Sequence, residues 1–173
     1  MKISDIIKSE NLTLSFEVFP PKISTKFESV KRATENVAAL KPHFMSVNYG
    51  PGGGTSAFTV DIAKSIQEKY NIPVMAHLSC ISSTKDGVKK QLQAIKDAGI
   101  TNIMALRGDI PADSTLDRSS LDYHYACELV DEIKAFDSSF CVGGACYPEV
   151  HPESENQKKD IAALKLTVEA GCE

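Results

Sequence analysis

Short apolar runs alternate with amphipathic stretches along the whole chain. Strand-like runs occupy 13–19, 44–49, 73–80, 102–108 and 140–147. Each is brief, rich in branched or aromatic residues, and bounded by Pro, Gly or polar residues. Between them, apolar positions recur every three or four residues. Phe27, Val30, Ala33, Val37 and Leu40 predict a helix over 26–41, and Phe58, Ile62, Ile66 and Tyr70 one over 56–70. Val88, Leu92 and Ile95 predict a helix over 85–98 that stops at Gly99. Leu121, Tyr125, Leu129, Val130 and Ile133 predict one over 120–136, and Ile161, Leu164 and Val168 one over 155–170, capped by Gly171.

Strands and helices alternating at roughly 30-residue spacing predict βαβ units and a parallel sheet, in a single α/β domain over residues 1–173. Two architectures fit. One is the front part of a (β/α)8 TIM barrel, of which about the first five βα units are present; a whole barrel typically needs about 250 residues. The other is a complete five-stranded doubly wound sheet of the flavodoxin kind. Periodicity does not separate them, and both gather functional groups at the carboxyl ends of the strands. The chain stops two residues after Gly171, where a sixth strand would begin. The expectation is therefore the front part of a longer protein.

Composition narrows the classes of function. Hydrophobic residues make up 42% and charged residues 24%, the balance of a globular rather than a disordered chain. A net charge of −4 without a basic block argues against a nucleic-acid partner. No apolar run approaches the ~20 residues of a membrane span, and no signal-peptide core follows Met1, so a cytoplasmic location is the default. The five cysteines, Cys80, Cys127, Cys141, Cys146 and Cys172, form no CxxC pair and predict reduced, structural thiols. A metal site from Cys141, Cys146 and His151 lacks zinc-like spacing, and a straight strand would face the two cysteines to opposite sides. No metal is expected.

The candidate chemistry starts at Leu14-Ser15-Phe16-Glu17-Val18-Phe19, an apolar strand with a carboxylate in it, ended by Pro20-Pro21. Alternation sets Ser15, Glu17 and Phe19 on one face. If both faces are buried, Glu17 would stay protonated or find a partner, which is how a general acid is made. The bland alternative pairs Glu17 with Arg107 in a structural ion pair. Other polar groups also stand at strand ends: Asn48 and Tyr49; His77; Arg107-Gly108-Asp109; and Tyr147, Glu149 and His151. Together they predict a pocket with an acid, histidines, an arginine and tyrosines. His77 also reads as a core histidine and Asp109 as a turn residue. The loop Gly50-Pro51-Gly52-Gly53-Gly54-Thr55-Ser56 could cradle a phosphate at a helix N-terminus or be a plain turn; it is neither a Walker A loop nor GxGxxG. Pro148 and Pro152 bracket Glu149, Val150 and His151 in a rigid loop suited to positioning a ligand.

Taken in order, Ser15-Phe16-Glu17-Val18-Phe19-Pro20-Pro21-Lys22, Ser46-Val47-Asn48-Tyr49-Gly50, Ala76-His77-Leu78-Ser79-Cys80, Ala105-Leu106-Arg107-Gly108-Asp109-Ile110-Pro111 and Tyr147-Pro148-Glu149-Val150-His151-Pro152-Glu153 resemble the methylenetetrahydrofolate reductase family. The resemblance implies an eight-fold βα barrel holding FAD. NADH or NADPH reduces the flavin, which then reduces 5,10-methylenetetrahydrofolate to 5-methyltetrahydrofolate in a ping-pong cycle. Carried over by motif, Glu17 is the general acid and Asp109 binds folate and stabilises its cationic intermediate. Tyr49, His77, Arg107, Gly108, Asp109, Tyr125, Ala126, Tyr147, His151 and Asp160 match positions that contact FAD. The implied partners are the folate substrate and the nicotinamide cofactor, with a homo-oligomer expected and an electron-transfer partner protein left open as flavin reductant. The chain departs from the family pattern at Asn48, where threonine is usual, and at Thr167, where lysine is usual. The family continues into further βα units that supply folate and nicotinamide contacts. A five-strand arc should leave open edges and exposed apolar surface, so the chain alone is expected to be unstable, oligomerised or inactive.

Overall fold

The computed structural model describes residues 1–21, 27–49, 56–109 and 118–173. The elements follow in the order α1 (Ile3–Ser9), β1 (Ser15–Val18), α2 (Phe27–Ala38), β2 (Phe44–Val47), α3 (Ser56–Tyr70), β3 (Val74–Ser79), α4 (Lys85–Asp97), β4 (Asn102–Leu106), α5 (Ala126–Phe136), β5 (Cys141–Gly144) and α6 (Gln157–Glu169). Local chemistry sets several of the boundaries. The Thr84 hydroxyl accepts from the Gly87 N–H and starts α4, and the Asn156 side chain accepts from the Lys159 N–H and starts α6.

All five strands are parallel and lie in the sheet in chain order, β1-β2-β3-β4-β5. Their outer-face residues, such as Val47, Ala76, Leu78, Ile103 and Val142, share one core with Ile62, Ile66, Leu92, Ile95, Leu129 and Ile133 from the helices. A doubly wound sheet would break the sequential order and carry crossover helices on both faces. Sequential order with one helical layer is instead an arc of a βα barrel. This settles the two architectures left open by periodicity and corrects the doubly wound alternative.

The face turned away from these helices is the barrel's inner face. Register aligns Glu17, Ser46, Met75, Asn102 and Cys141 across it in one row. Helix α1, which the hydrophobic pattern does not predict, closes its lower end. Ile3 and Ile6 pack there on Phe44 and Met75. The Asn102 carboxamide holds α1 in place: its Oδ1 accepts from the Ile3 N–H at 2.8 Å, and its Nδ2 donates to the carbonyls of Met1 and Val74 at 3.2 Å each. Glu173 adds a clasp. Its carboxylate accepts from Lys2 (3.0 Å), Ser4 (2.9 Å) and Lys134 (3.3 Å), and its N–H donates to the Val142 carbonyl at 2.8 Å. The bond from Lys2, with those from Ser4 and Lys134, holds the Glu173 carboxyl down at about 2, against the upward push of partial burial.

Large apolar side chains are exposed at both ends of the arc: Leu12, Leu14 and Phe19 around β1, and Ile161, Leu164 and Val168 on α6. The five cysteines are free. Burial pushes the Cys80 thiol up to about 12, so it stays an inert thiol. Cys141 lies at the lower end, its Sγ 3.5 Å from the Ser4 hydroxyl. Among the described residues no group of three metal-ligating side chains gathers, and no helix is long and apolar enough to cross a membrane.

Candidate functional site

Among the described residues, the upper end of the inner face carries the strand ends and the first residues that follow them. Glu17 is exposed there, which corrects the picture of a carboxyl group sealed between two buried faces. The reason is topological. β1 is a terminal strand, and among the described residues no helix covers the side of it that carries Glu17. The Glu17 Oε1 accepts from the Asn48 Nδ2 at 2.9 Å. The anticipated ion pair of Glu17 with Arg107 is also corrected. Arg107 instead makes a bidentate pair with Glu153, at 2.7 and 3.0 Å, while its Nε donates to the Gly108 carbonyl at 3.1 Å. This fork is the strong geometry for arginine and carboxylate, and it ties the end of β4 to the loop after β5.

His77 projects from β3 to the inner face and is only 7% exposed. Among the described residues, its buried Nδ1 has no hydrogen-bond partner. Burial pushes the imidazole below its ordinary 6.5, outweighing the upward pull of nearby Glu17, so His77 is neutral at neutral pH. The sign of the stability effect follows. Its folded-state value is depressed, so the contribution is present above about pH 6.5 and is lost as pH falls from there through the lowered folded value. Urea midpoints measured across that range should fall less steeply for His77→Asn than for the wild type. Identical slopes would show that another group carries the acid sensitivity.

Gly108 adopts φ +84°, and a Cβ there would sit 3.2 Å from both the Ser79 Oγ and the Ile81 Cγ2. Left-handed backbone and close approach both demand glycine at this corner, which turns the chain from Arg107 to the exposed Asp109. Tyr147 sets its ring edge-on to His151, centroids 4.7 Å apart. The His151 N–H donates to Asp160 at 3.2 Å, and its Nδ1 accepts from the Glu153 N–H at 3.1 Å. The loop read as rigid from its prolines is therefore also cross-linked by its own polar groups. Tyr125 stands exposed at the start of α5, with its N–H donated to Glu128 at 3.0 Å, and half-buried Ala126 follows it. Tyr49 differs from the rest: it is buried in the main core with the helix-side residues. Thr167 is buried as well, its hydroxyl donating to the Ala163 carbonyl and its methyl group lying under Gly144. The glycine loop 50–55, Lys22 and the Ile110-Pro111 pair lie outside the described residues.

Two contributors carry no role in the sequence reading. Glu153 closes one of the five motifs, yet nothing local marks it as the partner of Arg107, forty-six residues away. Thr59 is 1% exposed on α3 and donates to the Asn48 carbonyl at 2.9 Å. A threonine at an apolar helix position was the available signal for it.

The site thus offers a carboxyl group, a neutral imidazole with an unused nitrogen, a fixed guanidinium, an exposed second carboxylate and two exposed phenol rings around one open face. Residues 2–173 match the family model described as Methylenetetrahydrofolate reductase. The 5,10-methylenetetrahydrofolate reductase of Buchnera aphidicola subsp. Acyrthosiphon pisum is 40% identical over 161 residues, which cover 93% of this chain and 53% of that protein. That of Escherichia coli K12 is 35% identical over 160 residues, 92% of this chain and 52% of that one. Methylenetetrahydrofolate reductase 2 of Schizosaccharomyces pombe is 36% identical over 185 residues, 100% of this chain and 29% of that one. The chain spans about half the length of the bacterial relatives it matches. Among solved structures, oxaloacetate acetylhydrolase with bound oxalate aligns at a TM-score of 0.64 and 10% identity, over 99% of this chain and 60% of that one. A 2,3-dimethylmalate lyase of the PEP mutase/isocitrate lyase superfamily aligns at 0.63 and 8%, over 98% and 58%. Such low identities speak to the barrel architecture alone. A match along nearly the whole chain, with the five motifs standing at the strand ends of a barrel arc, makes this chain a member of the methylenetetrahydrofolate reductase family.

Proposed function

We propose that this chain forms the acid-bearing part of a flavin-dependent reductase that converts 5,10-methylenetetrahydrofolate to 5-methyltetrahydrofolate. The observation that carries the reading is Glu17 and His77 together on the open inner face, in a chain matched by that family over residues 2–173. The buried His77 Nδ1, which has no partner among the described residues, fits a polar cofactor such as FAD. His77, Arg107, Gly108, Asp109, Tyr125, Ala126, Tyr147, His151 and Asp160 would hold it. Tyr49 would contribute from the core, by supporting the segment after β2. When bound, FAD supplies a two-electron relay from NADH or NADPH to the folate.

The chain's own residues supply position and protons. Glu17 would deliver a proton to the folate ring nitrogen whose C–N bond breaks, leaving an iminium that accepts hydride. Asp109 lies exposed beyond Gly108, where its charge would offset the cationic intermediate. The Arg107–Glu153 fork keeps the β4 and β5 loops at a fixed separation, so that these groups face one bound ring system. The nicotinamide cofactor and the folate would use this face in turn. Apolar side chains exposed around β1 and on α6 support association with further protein surface, in a homo-oligomer or with a partner chain.

The test is spectroscopic. Protein purified with FAD should show a flavin band near about 450 nm, lose it anaerobically on adding NADH or NADPH, and regain it on adding 5,10-methylenetetrahydrofolate. Absence of bound flavin, or reduced flavin that folate does not reoxidise, would sink this reading.

A further inference from the structure

We propose that Asn48 is the positioning residue for Glu17, and that Thr59 holds Asn48 in place. The proposal rests on the function proposed above, and it concerns a position where this chain departs from the family's usual threonine. Among the described residues, three bonds hold Asn48. Its backbone N–H donates to the Val18 carbonyl at 2.9 Å, continuing the β1–β2 ladder past its last paired residues. Its carbonyl accepts from the Thr59 hydroxyl at 2.9 Å, and Thr59 is buried on α3. Its Nδ2 donates to the Glu17 Oε1 at 2.9 Å.

The consequence concerns which oxygen of Glu17 works as the acid. An exposed glutamate on a terminal strand has several rotamers, and ordering it costs side-chain entropy. The amide donor selects one of them. It also engages Oε1 as an acceptor, so in the neutral acid the proton resides on Oε2. When Oε2 releases that proton to the folate ring nitrogen, the resulting carboxylate keeps its bond from Asn48, now as a stronger, charge-assisted one. Ile62 and Ile66, on the same helix as Thr59, pack in the main core, so the support behind Asn48 is rigid.

The experiment measures both half-reactions in flavin-loaded protein, for Asn48→Leu alone and on a Glu17→Gln background, and follows the Asn48 side-chain amide signal by NMR. Asn48→Leu should slow the folate half-reaction about tenfold or more, the scale of a misplaced catalytic group, and leave flavin reduction within about twofold. On the Glu17→Gln background it should cause no further loss, since the group it positions is already gone. The Asn48 amide signal should shift in Glu17→Ala protein, which removes the oxygen that accepts from Asn48. Should Asn48→Leu fail to fold, Thr59→Val takes its place, with a smaller slowing confined to the same half-reaction. Equal slowing of both half-reactions, losses that multiply with Glu17→Gln, or an amide signal that does not move would each overturn the proposal. Wild-type protein that never passes electrons to the folate overturns the proposed function instead, and the amide signal then decides the Asn48–Glu17 contact by itself.

Discussion

Glu17→Gln should cut the rate of the folate half-reaction by about a hundredfold or more, the range for a lost general acid, while flavin binding and reduction by the nicotinamide cofactor persist. The asymmetry follows from the geometry. A glutamine side chain in place of Glu17 would keep its shape and an oxygen to accept from Asn48, but it has no proton to give to a leaving nitrogen. Hydride arriving from the nicotinamide cofactor needs no such proton. Anaerobic stopped-flow traces at the flavin band would separate the two steps. Equal slowing of both would mean that Glu17 shapes the site rather than acting in it. An unchanged folate step would move the acid to another group, with the exposed Asp109 the first to test.

Asn102→Leu should lower stability by roughly 3 kcal/mol, the scale of stranding buried hydrogen-bonding groups. Asn102 is 2% exposed and satisfies the Ile3 N–H and the Met1 and Val74 carbonyls at once. Leucine fills similar space but leaves the Ile3 N–H without its acceptor, in a region closed by Ile3, Ile6, Phe44 and Met75. Asn102→Asp should be no milder, because it keeps an acceptor for Ile3, loses both donors and buries a charge. A urea midpoint lower by about 1–2 M would match this loss at ordinary m-values, and amide exchange of residues 3–9 should accelerate most. A change under about 1 kcal/mol, smaller than the desolvation cost of one stranded group, or unaltered protection of α1, would mean that Ile3 and Ile6 hold the helix without Asn102.

Much of the architecture was legible because each strand is a compact apolar run and helices such as α4 and α5 carry a clear stripe, although the stripe read on α6, Ile161, Leu164 and Val168, is exposed. Leu92 and Ile95 mark the buried side of α4 as plainly in the sequence as in the core. Strand order was not legible. Parallel units of a barrel and of a doubly wound sheet have the same periodicity, and only the pairing of β1 with β2 and onward separates them. Helix α1 escaped because Ile3 and Ile6 alone do not make a stripe. At the site, strand-end motifs located Glu17, His77 and Arg107, but alternation reports which residues share a face and not whether that face is covered. That is why Glu17 emerged exposed. The partner of Arg107 was illegible for a different reason: Glu153 reaches it across a loop whose path no local pattern specifies. Tyr49 shows the limit of reading polarity from residue type, since its ring lies in the core.

The clasp at the lower end of the barrel also orders events in time. Lys2 and Glu173 are separated by 171 positions, and Ile3 waits 99 positions for Asn102. At a synthesis rate of about 5–20 residues per second, the first helix is made roughly 5–20 s before Asn102 and roughly 10–35 s before Glu173. During that interval the Ile3 N–H lacks its Asn102 acceptor, and a seven-residue helix is too short to persist alone. The start of the chain is therefore among the last parts to become native. A nascent chain stalled before residue 102 should present residues 3–9 open to proteases and chaperones, and one stalled with residue 173 already outside the ribosome should not.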